Sequence, residues 1–272
     1  MIVLLPSSGL YGLRQVNLRT PRVGDLREIA SASYTEEQIR TEFVRLLVDD
    51  ADSVFQHITT YDREYLYAIA ASGVCMNQIV VDYVCPHCKG VGRDVTGHVT
   101  YDITSQEIVT LDEGSPSSVV KEWDGLSVTY RVLRVCDEER IVSYALSDYD
   151  HYASRYEQAF IAGILGQSLD SPADIDAGIA VVNSYPMYVY FSAMLFSQMV
   201  FHGVPSTVEA TCPECGGSVK VIVPFGQAVT QLDSGRLINR FSQVSGMVSY
   251  KDFLDMSMPE LSQLEANLHA RG

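Results

Sequence analysis

Cys85-Pro86-His87-Cys88 and its counterpart Cys212-Pro213-Glu214-Cys215 are the two stretches that constrain the fold of this chain most. Each is a C-P-x-C turn that is followed within two residues by glycine, and each presents two thiolates from one tight corner. Two such turns together supply the four ligands that a tetrahedral ion requires. The sequence therefore predicts one metal site made of Cys85, Cys88, Cys212 and Cys215, with structural Zn²⁺ as its ion.

The distance between the two turns along the chain indicates what kind of zinc site they form. Cys88 and Cys212 lie 124 positions apart, whereas a compact zinc ribbon places its second pair about 15 to 20 residues after the first. We therefore expect the metal to join distant parts of a larger fold. The second pair could also come from another copy of the chain. The site within one chain is favoured, because two similar corners of one chain meet independently of concentration.

The other candidate ligands are weaker. Cys75 lies in an apolar stretch and Cys136 follows strand-like sequence, so each is expected to be a small buried hydrophobe. His87 could replace a cysteine only with its side chain turned away from the neighbouring thiolates. Each cysteine pair could instead be a redox C-x-x-C motif, but that motif needs a strand-to-helix context and a lowered thiol pKa. Alternating apolar runs flank both pairs, which weakens the redox interpretation.

Composition restricts the class of protein. A chain of 272 residues, 47% hydrophobic and 19% charged, can bury a sizeable core. Its 34 acidic and 19 basic residues give a formal charge of −15, which repels phosphate backbones and anionic lipid surfaces. We therefore expect neither nucleic acid nor membrane as a partner. Four of the six cysteines lie in the two turns, which fits a reducing compartment with metal-bound thiolates. Met1–Pro6 lacks the basic region of a signal peptide, which also predicts a protein made in the cytosol.

Residue patterns predict an α+β fold, with a helical core, short β-hairpins and two zinc knuckles joined in one four-cysteine site. The extended runs Ile2–Leu5 and Leu13–Arg19 predict an N-terminal hairpin. Thr35 with Gln38 three residues later is a capping box that begins a helix, and a second helix is expected over Asp62–Ser72. Each cysteine turn has the same local design, which is an extended run, C-P-x-C, glycine and a second extended run.

The middle of the chain, Asp137 to His202, is predicted to be helical, with Ser171 as an N-cap. Within it, residues 185–201 are apolar on nearly all sides. The plain interpretation is a central core helix, and the alternative is a helix that faces a partner in an assembly. Capping patterns at Ser249 and Ser257 predict a helical tail. Together these patterns divide the chain into four predicted segments. They are an N-terminal β-hairpin arm (1–30), helices with the first zinc knuckle and a β region (31–136), a helical core with the second zinc knuckle (137–224) and a C-terminal helical tail (225–272).

Several short pieces occur along the chain in a characteristic order. They are Leu5–Tyr11, Val16–Arg19, Asp62–Leu66, Val84–Cys88, Tyr130–Leu133, Asp137-Glu138 and Tyr250–Met256 with Glu260-Leu261 and Leu264. In this order they resemble the T-even phage baseplate hub and hub-assembly family, a group of myophage tail proteins. The stretch Ser105–Glu122 and much of the middle helical region lie outside the resemblance.

The resemblance implies an assembly role in a contractile-tail phage, either as a structural subunit of the baseplate hub or as a factor that helps the hub to form. It implies other phage tail and baseplate proteins as partners, and a location in the host cytoplasm during assembly or in the tail baseplate of the virion. A homo-oligomer within a symmetric assembly would be compatible with this role. The resemblance does not imply catalysis.

Two other classes of function fit the sequence less well. A thiol redox enzyme or other zinc enzyme would need a reactive constellation, but the six histidines form no H-E-x-x-H spacing, and the chain has no G-x-S-x-G elbow or P-loop. A nucleic-acid-binding zinc protein would need a basic, aromatic face, whereas this chain offers only scattered pairs such as Arg131 and Arg134. Its sixteen tyrosines suit protein interfaces. We therefore predict a non-enzymatic protein that acts through protein–protein contacts.

Overall fold

A computed structural model describes residues 1–74, 78–223 and 234–269 of the chain. These residues form α-helices and two-stranded antiparallel hairpins, so the predicted α+β class is confirmed. The hairpins within the described ranges are β1 (Ile2–Leu4) with β2 (Gln15–Asn17), β3 (Gln78–Val84) with β4 (Thr96–Asp102), β5 (Ser118–Trp123) with β6 (Leu126–Arg131), and β7 (Thr207–Thr211) with β8 (Ser218–Ile222). The first of them is the predicted N-terminal hairpin.

The helices separate and follow these hairpins. They are α1 (Val23–Ser31), α2 (Glu36–Leu47), α3 (Ala51–Phe55), α4 (Thr60–Val74), α5 (Pro86–Gly90), α6 (Val135–Leu146), α7 (Tyr152–Ile164), α8 (Pro172–Asn183), α9 (Met187–Met199), α10 (Ser234–Val244), α11 (Tyr250–Asp255) and α12 (Met258–His269). The predicted helical character of the middle of the chain is confirmed by α6 to α9. A short 3₁₀ turn, Ile103–Ser105, follows β4.

Local capping signals in the sequence place several helix starts correctly. The Thr35 hydroxyl accepts from the Gln38 N–H at 3.3 Å, and the Gln38 side chain accepts from the Thr35 N–H at 3.0 Å, which completes the predicted capping box. Ser171 and Ser249 each accept from the N–H three residues later, at 3.2 Å. At Ser257 the Glu260 carboxylate accepts from the backbone N–H at 2.8 Å. Each cap satisfies a backbone donor that the first turn of a helix leaves free.

Buried side chains form two hydrophobic clusters. The first combines β1–β2, α1 to α4, the hairpins β3–β4 and β7–β8, and the helices α10 to α12. The second combines β5–β6 with α6 to α9. The hairpin β7–β8 thus packs in the first cluster, although it follows the last helix of the second. The division into four segments predicted from the sequence is not tested by these clusters and stays a prediction.

A buried ion pair links α4 to α6. Arg63 is almost fully buried, forms an ion pair with Glu138 and donates to the Thr41 hydroxyl at 2.8 Å. The Tyr156 hydroxyl on α7 donates to the same Glu138 carboxylate. Burial and the Glu138 charge both raise the pKa of Tyr156 well above its usual value, so the phenol stays a donor. The helices α2, α4, α6 and α7 therefore share one polar network, in which each charge has a partner.

The helix α9 differs from the sequence-based interpretation. Val189, Ala193 and Phe196 are buried in the second cluster, but the opposite side of the helix is exposed. The prediction of a central core helix is therefore wrong, because no described element covers the second apolar side. Within the described ranges, no single helix has both the length and the apolar composition of a membrane span, and α8 and α9 meet those criteria only as a pair with a 116° bend between them.

Candidate metal centre

The two cysteine turns lie at the ends of two neighbouring hairpins. The first turn follows β3 and the second follows β7, and each is followed by the returning strand of its own hairpin. The Tyr83 hydroxyl on β3 donates to the Thr211 carbonyl at 3.1 Å, and the Tyr101 hydroxyl on β4 donates to the Pro205 carbonyl at 3.0 Å. These bonds hold the hairpins beside each other, so their cysteine turns meet. The repeated design predicted from the sequence is therefore confirmed in the structure.

The two turns begin alike and differ in how they return. Cys85 donates its N–H to the Val95 carbonyl, and Cys212 donates its N–H to the Gly217 carbonyl, both at 2.9 Å. The first turn contains the short helix α5 and a longer return to β4. The second is a tight turn in which Gly216 has a φ of +68°, a conformation that glycine adopts without the steric penalty of a Cβ. The glycine after the second C-P-x-C is thus required by backbone geometry.

The four sulfur atoms form a compact cluster. All four Sγ atoms lie within 4.8 Å of one another. The Sγ atoms of Cys85 and Cys215 are 3.8 Å apart, and those of Cys88 and Cys212 are also 3.8 Å apart. A tetrahedral zinc ion with Zn–S bonds of about 2.3 Å places neighbouring sulfurs about 3.8 Å apart, whereas a disulfide requires about 2.05 Å. The cluster therefore has the dimensions of a four-thiolate metal site, built within one chain.

Burial and backbone N–H groups give the thiols of Cys212 and Cys88 different pKa values. The backbone N–H groups of Cys215 and Glu214 point at the Cys212 sulfur and lower the pKa of its thiol to about 7. Burial, together with the neighbouring Cys215, Cys212 and Cys85 thiols, raises the pKa of Cys88 to about 12. The thiols of Cys212 and Cys88 thus do not ionise together while they have only other thiols as neighbours. A cation at their centre would favour four thiolates, because metal binding displaces the thiol protons.

His87 lies between two cysteines, but its side chain contacts the second turn and not the sulfur cluster. Its Nε2 donates to the Ser218 carbonyl at 3.2 Å, and within the described ranges the candidate metal ligands are the four cysteines. A Cβ added to Gly217 would lie 2.9 Å from the His87 ring carbon Cδ2. The ring therefore packs against the backbone of the second turn. Sequence reasoning missed this contact, although the second glycine of the Gly216-Gly217 pair is a signal for it.

A second glycine contact supports the strand that carries the first turn. Gly97 on β4 pairs with Tyr83 on β3, and a Cβ at Gly97 would lie 2.6 Å from the Tyr83 ring. The ring thus lies over the glycine, and its hydroxyl reaches Thr211 on the other hairpin. Around the sulfur cluster, the remaining charged contact between the turns in the described ranges is the exposed pair Arg93–Glu214, at 4.0 Å. Exposed pairs of this kind contribute little stability, so the sulfur cluster and the His87 contact are the main links between the two turns.

Among the described residues, the cysteine outside the turns, Cys136, does not join the cluster. Cys136 is buried on α6, as predicted for a small hydrophobe. Cys75 lies outside the residues that the structure describes.

Comparison of the chain with protein-family models, with curated proteins and with solved structures finds no match. The functional conclusion therefore depends on the cysteine cluster and on the sequence.

Proposed function

We propose that Cys85, Cys88, Cys212 and Cys215 bind one structural Zn²⁺ ion, in a protein that serves as a subunit or an assembly factor of a phage tail baseplate hub. The observation that supports zinc is the close spacing of the four sulfurs, which lie within 4.8 Å of one another with two contacts of 3.8 Å between the turns. Thiolate ligands are soft donors that favour zinc or iron over magnesium and calcium. A four-cysteine set is a common ligand set of structural zinc.

A zinc ion in this cluster would act on stability. Four protein thiolates complete its tetrahedral coordination, so no position is open for water or substrate, and we propose no catalytic step. In zinc-finger peptides, binding contributes on the order of 10 to 16 kcal/mol at neutral pH. Here the ion would also close the long chain segment between Cys88 and Cys212, which restricts the unfolded chain. Its role would be to fix the two hairpins relative to each other.

The baseplate role is supported by the sequence. The order of the pieces that resemble the T-even hub and hub-assembly proteins runs through most of the chain, from Leu5–Tyr11 to Tyr250–Met256. The acidic charge of −15 disfavours nucleic acid as a partner. We therefore propose protein–protein contacts with other tail and baseplate proteins, made in the host cytoplasm during assembly or in the finished tail baseplate.

Metal content tests the zinc site. Elemental and native mass spectrometry of one preparation should find one zinc ion per wild-type chain and none in the Cys212→Ser/Cys215→Ser variant. Cys136→Ser is the matched control, because Cys136 is a buried cysteine outside the cluster, and this variant should keep its zinc. Iron in place of zinc would correct the identity of the metal. A wild-type chain that is folded and free of metal would refute the structural role.

A separate experiment tests the assembly role. Disruption of the gene in the phage whose genome encodes it should leave lysates in which electron microscopy finds tails without baseplates. Wild-type protein supplied from a plasmid should restore infectious particles, and the Cys212→Ser/Cys215→Ser variant should not. Normal particles after disruption would refute the assembly role but would leave the zinc measurement unaffected, so the two parts of the proposal fail separately.

A further inference from the structure

The outer side of α9 carries an apolar surface that the described chain leaves open. We call it the α9 strip, and it consists of Met187, Tyr188, Phe191, Met194, Leu195 and Met199. These side chains are between 40% and 75% exposed. Val189, Ala193 and Phe196 point the other way, into the second cluster. The helix is therefore apolar on two sides, and only one side is covered.

The spacing of the strip is that of a helix that pairs with another helix. Met187, Phe191, Met194 and Gln198 follow one another at intervals of four, three and four residues, the alternation of a and d positions in the heptads of paired helices. Tyr188 and Leu195 flank this seam. Gln198 is the polar residue at its end, and a single polar residue at a seam position fixes the register of a pair.

The area of the strip matches one side of a specific interface. With side chains of about 200 Å² each, the exposed fractions amount to roughly 700 Å² of mainly apolar surface, close to the about 800 Å² that each partner buries in a standard-size interface. Monomeric proteins rarely expose a contiguous apolar patch of more than a few hundred Å². The strip therefore supplies most of the area that one partner buries in a standard-size interface.

Charge indicates what covers the strip. The chain has a formal charge of −15, yet no Asp, Glu, Lys or Arg occurs between Asp176 and Glu209. Two copies that met through other surfaces would bring acidic groups together, whereas two α9 strips carry no charge to repel each other. The strip also lacks the Lys and Arg with which interfacial helices bind lipid surfaces. A second copy of the same chain thus fits better than a membrane.

We propose that two copies of this chain associate through α9, with one α9 strip packed against the other about a two-fold axis. A two-fold interface brings the same patch of each subunit together, as a self-complementary apolar strip requires. Met187, Met194 and Met199 are flexible and adapt to a neighbouring helix surface. The inference goes beyond the proposed baseplate role and depends on neither that role nor the zinc ion.

Oligomeric state is the first test. Sedimentation equilibrium of the wild-type chain should give twice the 30.1 kDa monomer mass. Leu195→Glu should raise the dimer dissociation constant by about 30-fold or more, the loss typical of one central interface residue. Ile238→Glu on α10 is the matched control, because Leu195 and Ile238 are exposed aliphatic residues on helices, at 59% and 61%. This control should remain dimeric, and zinc content measured in each sample shows that the cysteine site is intact.

A crosslink tests the geometry. Benzoylphenylalanine placed at position 191 should crosslink two copies on irradiation, and mass spectrometry should join an α9 peptide to an α9 peptide. The same probe at position 238 should not crosslink copies. A monomeric wild type, or a dimer that Leu195→Glu leaves unchanged, would overturn the proposal. Flotation of a monomeric wild type with phosphatidylcholine vesicles, lost in Leu195→Glu, would assign the strip to a membrane instead.

Discussion

His87 in the first cysteine turn donates its Nε2–H to the carbonyl of Ser218, 131 positions later in the chain, at 3.2 Å. The imidazole ring also lies against Gly217, so the two turns touch through a contact that involves none of the four sulfurs. The position of the second turn relative to the first therefore depends on ring packing as well as on the cysteines. This contact can be changed without removing a ligand.

Gly217→Ala should weaken the link between the two turns. The added Cβ would lie 2.9 Å from the His87 ring and 3.3 Å from the Cys215 sulfur. The ring must therefore move, its bond to Ser218 must lengthen, and the sulfur is crowded as well. We expect the free energy of unfolding to fall by about 1 to 3 kcal/mol, as for other overpacked sites, and zinc to be lost faster to a chelator. Denaturant unfolding and the rate of zinc release to a coloured chelator measure the two effects.

Gly90→Ala is the control for this substitution. Gly90 follows the first C-P-x-C, and a Cβ there would have no atom within 4 Å. Its effect should be small. His87→Ala combined with Gly217→Ala should remove the clash with the ring, although not the contact with the Cys215 sulfur, and should recover part of the lost stability. If Gly217→Ala is as stable as the wild type, the packing of His87 against the second turn is not a constraint.

Removal of the metal should loosen the two hairpins before the rest of the chain. The cysteine cluster joins β3–β4 to β7–β8, whereas β5–β6 and α6 to α9 have their own hydrophobic cluster. After treatment with a chelator, amide hydrogen exchange should accelerate over residues 78–102 and 207–222. Residues 135–164 should keep their protection. Unchanged exchange in the hairpins after metal loss would contradict a structural role for the ion.

Arg63→Met should destabilise the fold strongly. Arg63 is fully buried beside Glu138, whose carboxylate would be left without its charged partner. Breaking a buried pair in this way costs about 3 to 5 kcal/mol, which urea unfolding measures. The double variant Arg63→Met/Glu138→Gln should recover part of the loss, because it leaves no uncompensated charge. Arg14→Met is the exposed control, since the Arg14–Glu113 pair lies on the surface and its loss should change little.

Stability should decrease as the pH falls below neutrality, and His202 should contribute to this. Burial lowers the pKa of His202 below its usual 6.5, against a smaller opposite effect of Asp62. The ring accepts from the Thr59 hydroxyl at 2.7 Å through Nε2 and donates to the Val200 carbonyl through Nδ1. In the unfolded chain the ring takes up a proton near pH 6.5, whereas in the folded chain it does so only at a lower pH. The contribution of His202 is therefore complete above 6.5 and is lost as the pH falls towards the lowered folded value.

For one histidine, the slope in this range is at most about 1.4 kcal/mol per pH unit. His202→Gln should flatten the dependence of unfolding free energy on pH between 6.5 and the lowered folded value, measured by urea unfolding at a series of pH values. His57→Gln replaces an exposed histidine and serves as the control. An identical pH dependence for His202→Gln and the wild type would show that this ring does not titrate on unfolding.

The elements whose signals lie within a few residues were predictable from the sequence. The Thr35–Gln38 capping box, the Ser171 N-cap and the N-terminal hairpin depend on side chains that reach only three or four positions, or on simple alternation. The cysteine pairs were equally predictable, because a C-P-x-C turn holds two sulfurs in place by local geometry. Their joint cluster was predicted from ligand number, since two thiols do not complete a tetrahedral site.

The contacts between distant positions were not predictable in the same way. Nothing near Arg63 in sequence identifies Glu138 as its partner, 75 positions later, and nothing near His87 points to Ser218. The apolar stretch 185–201 predicted burial, but hydrophobicity states what a side chain prefers and not which neighbours are available to cover it. Among the residues that the structure describes, α9 has neighbours on one side only, and that depends on how α6 to α8 pack.

By itself, then, the sequence determined the N-terminal hairpin, several helix starts and which four cysteines can share an ion, because these follow from backbone preferences and ligand chemistry over a few residues. Only the tertiary structure decided that Tyr83 and Tyr101 bring the two hairpins together, that His87 packs on the second turn and that the α9 strip stays open. The physical reason is that such contacts depend on which surfaces remain after the first elements have packed, and that outcome involves the whole chain.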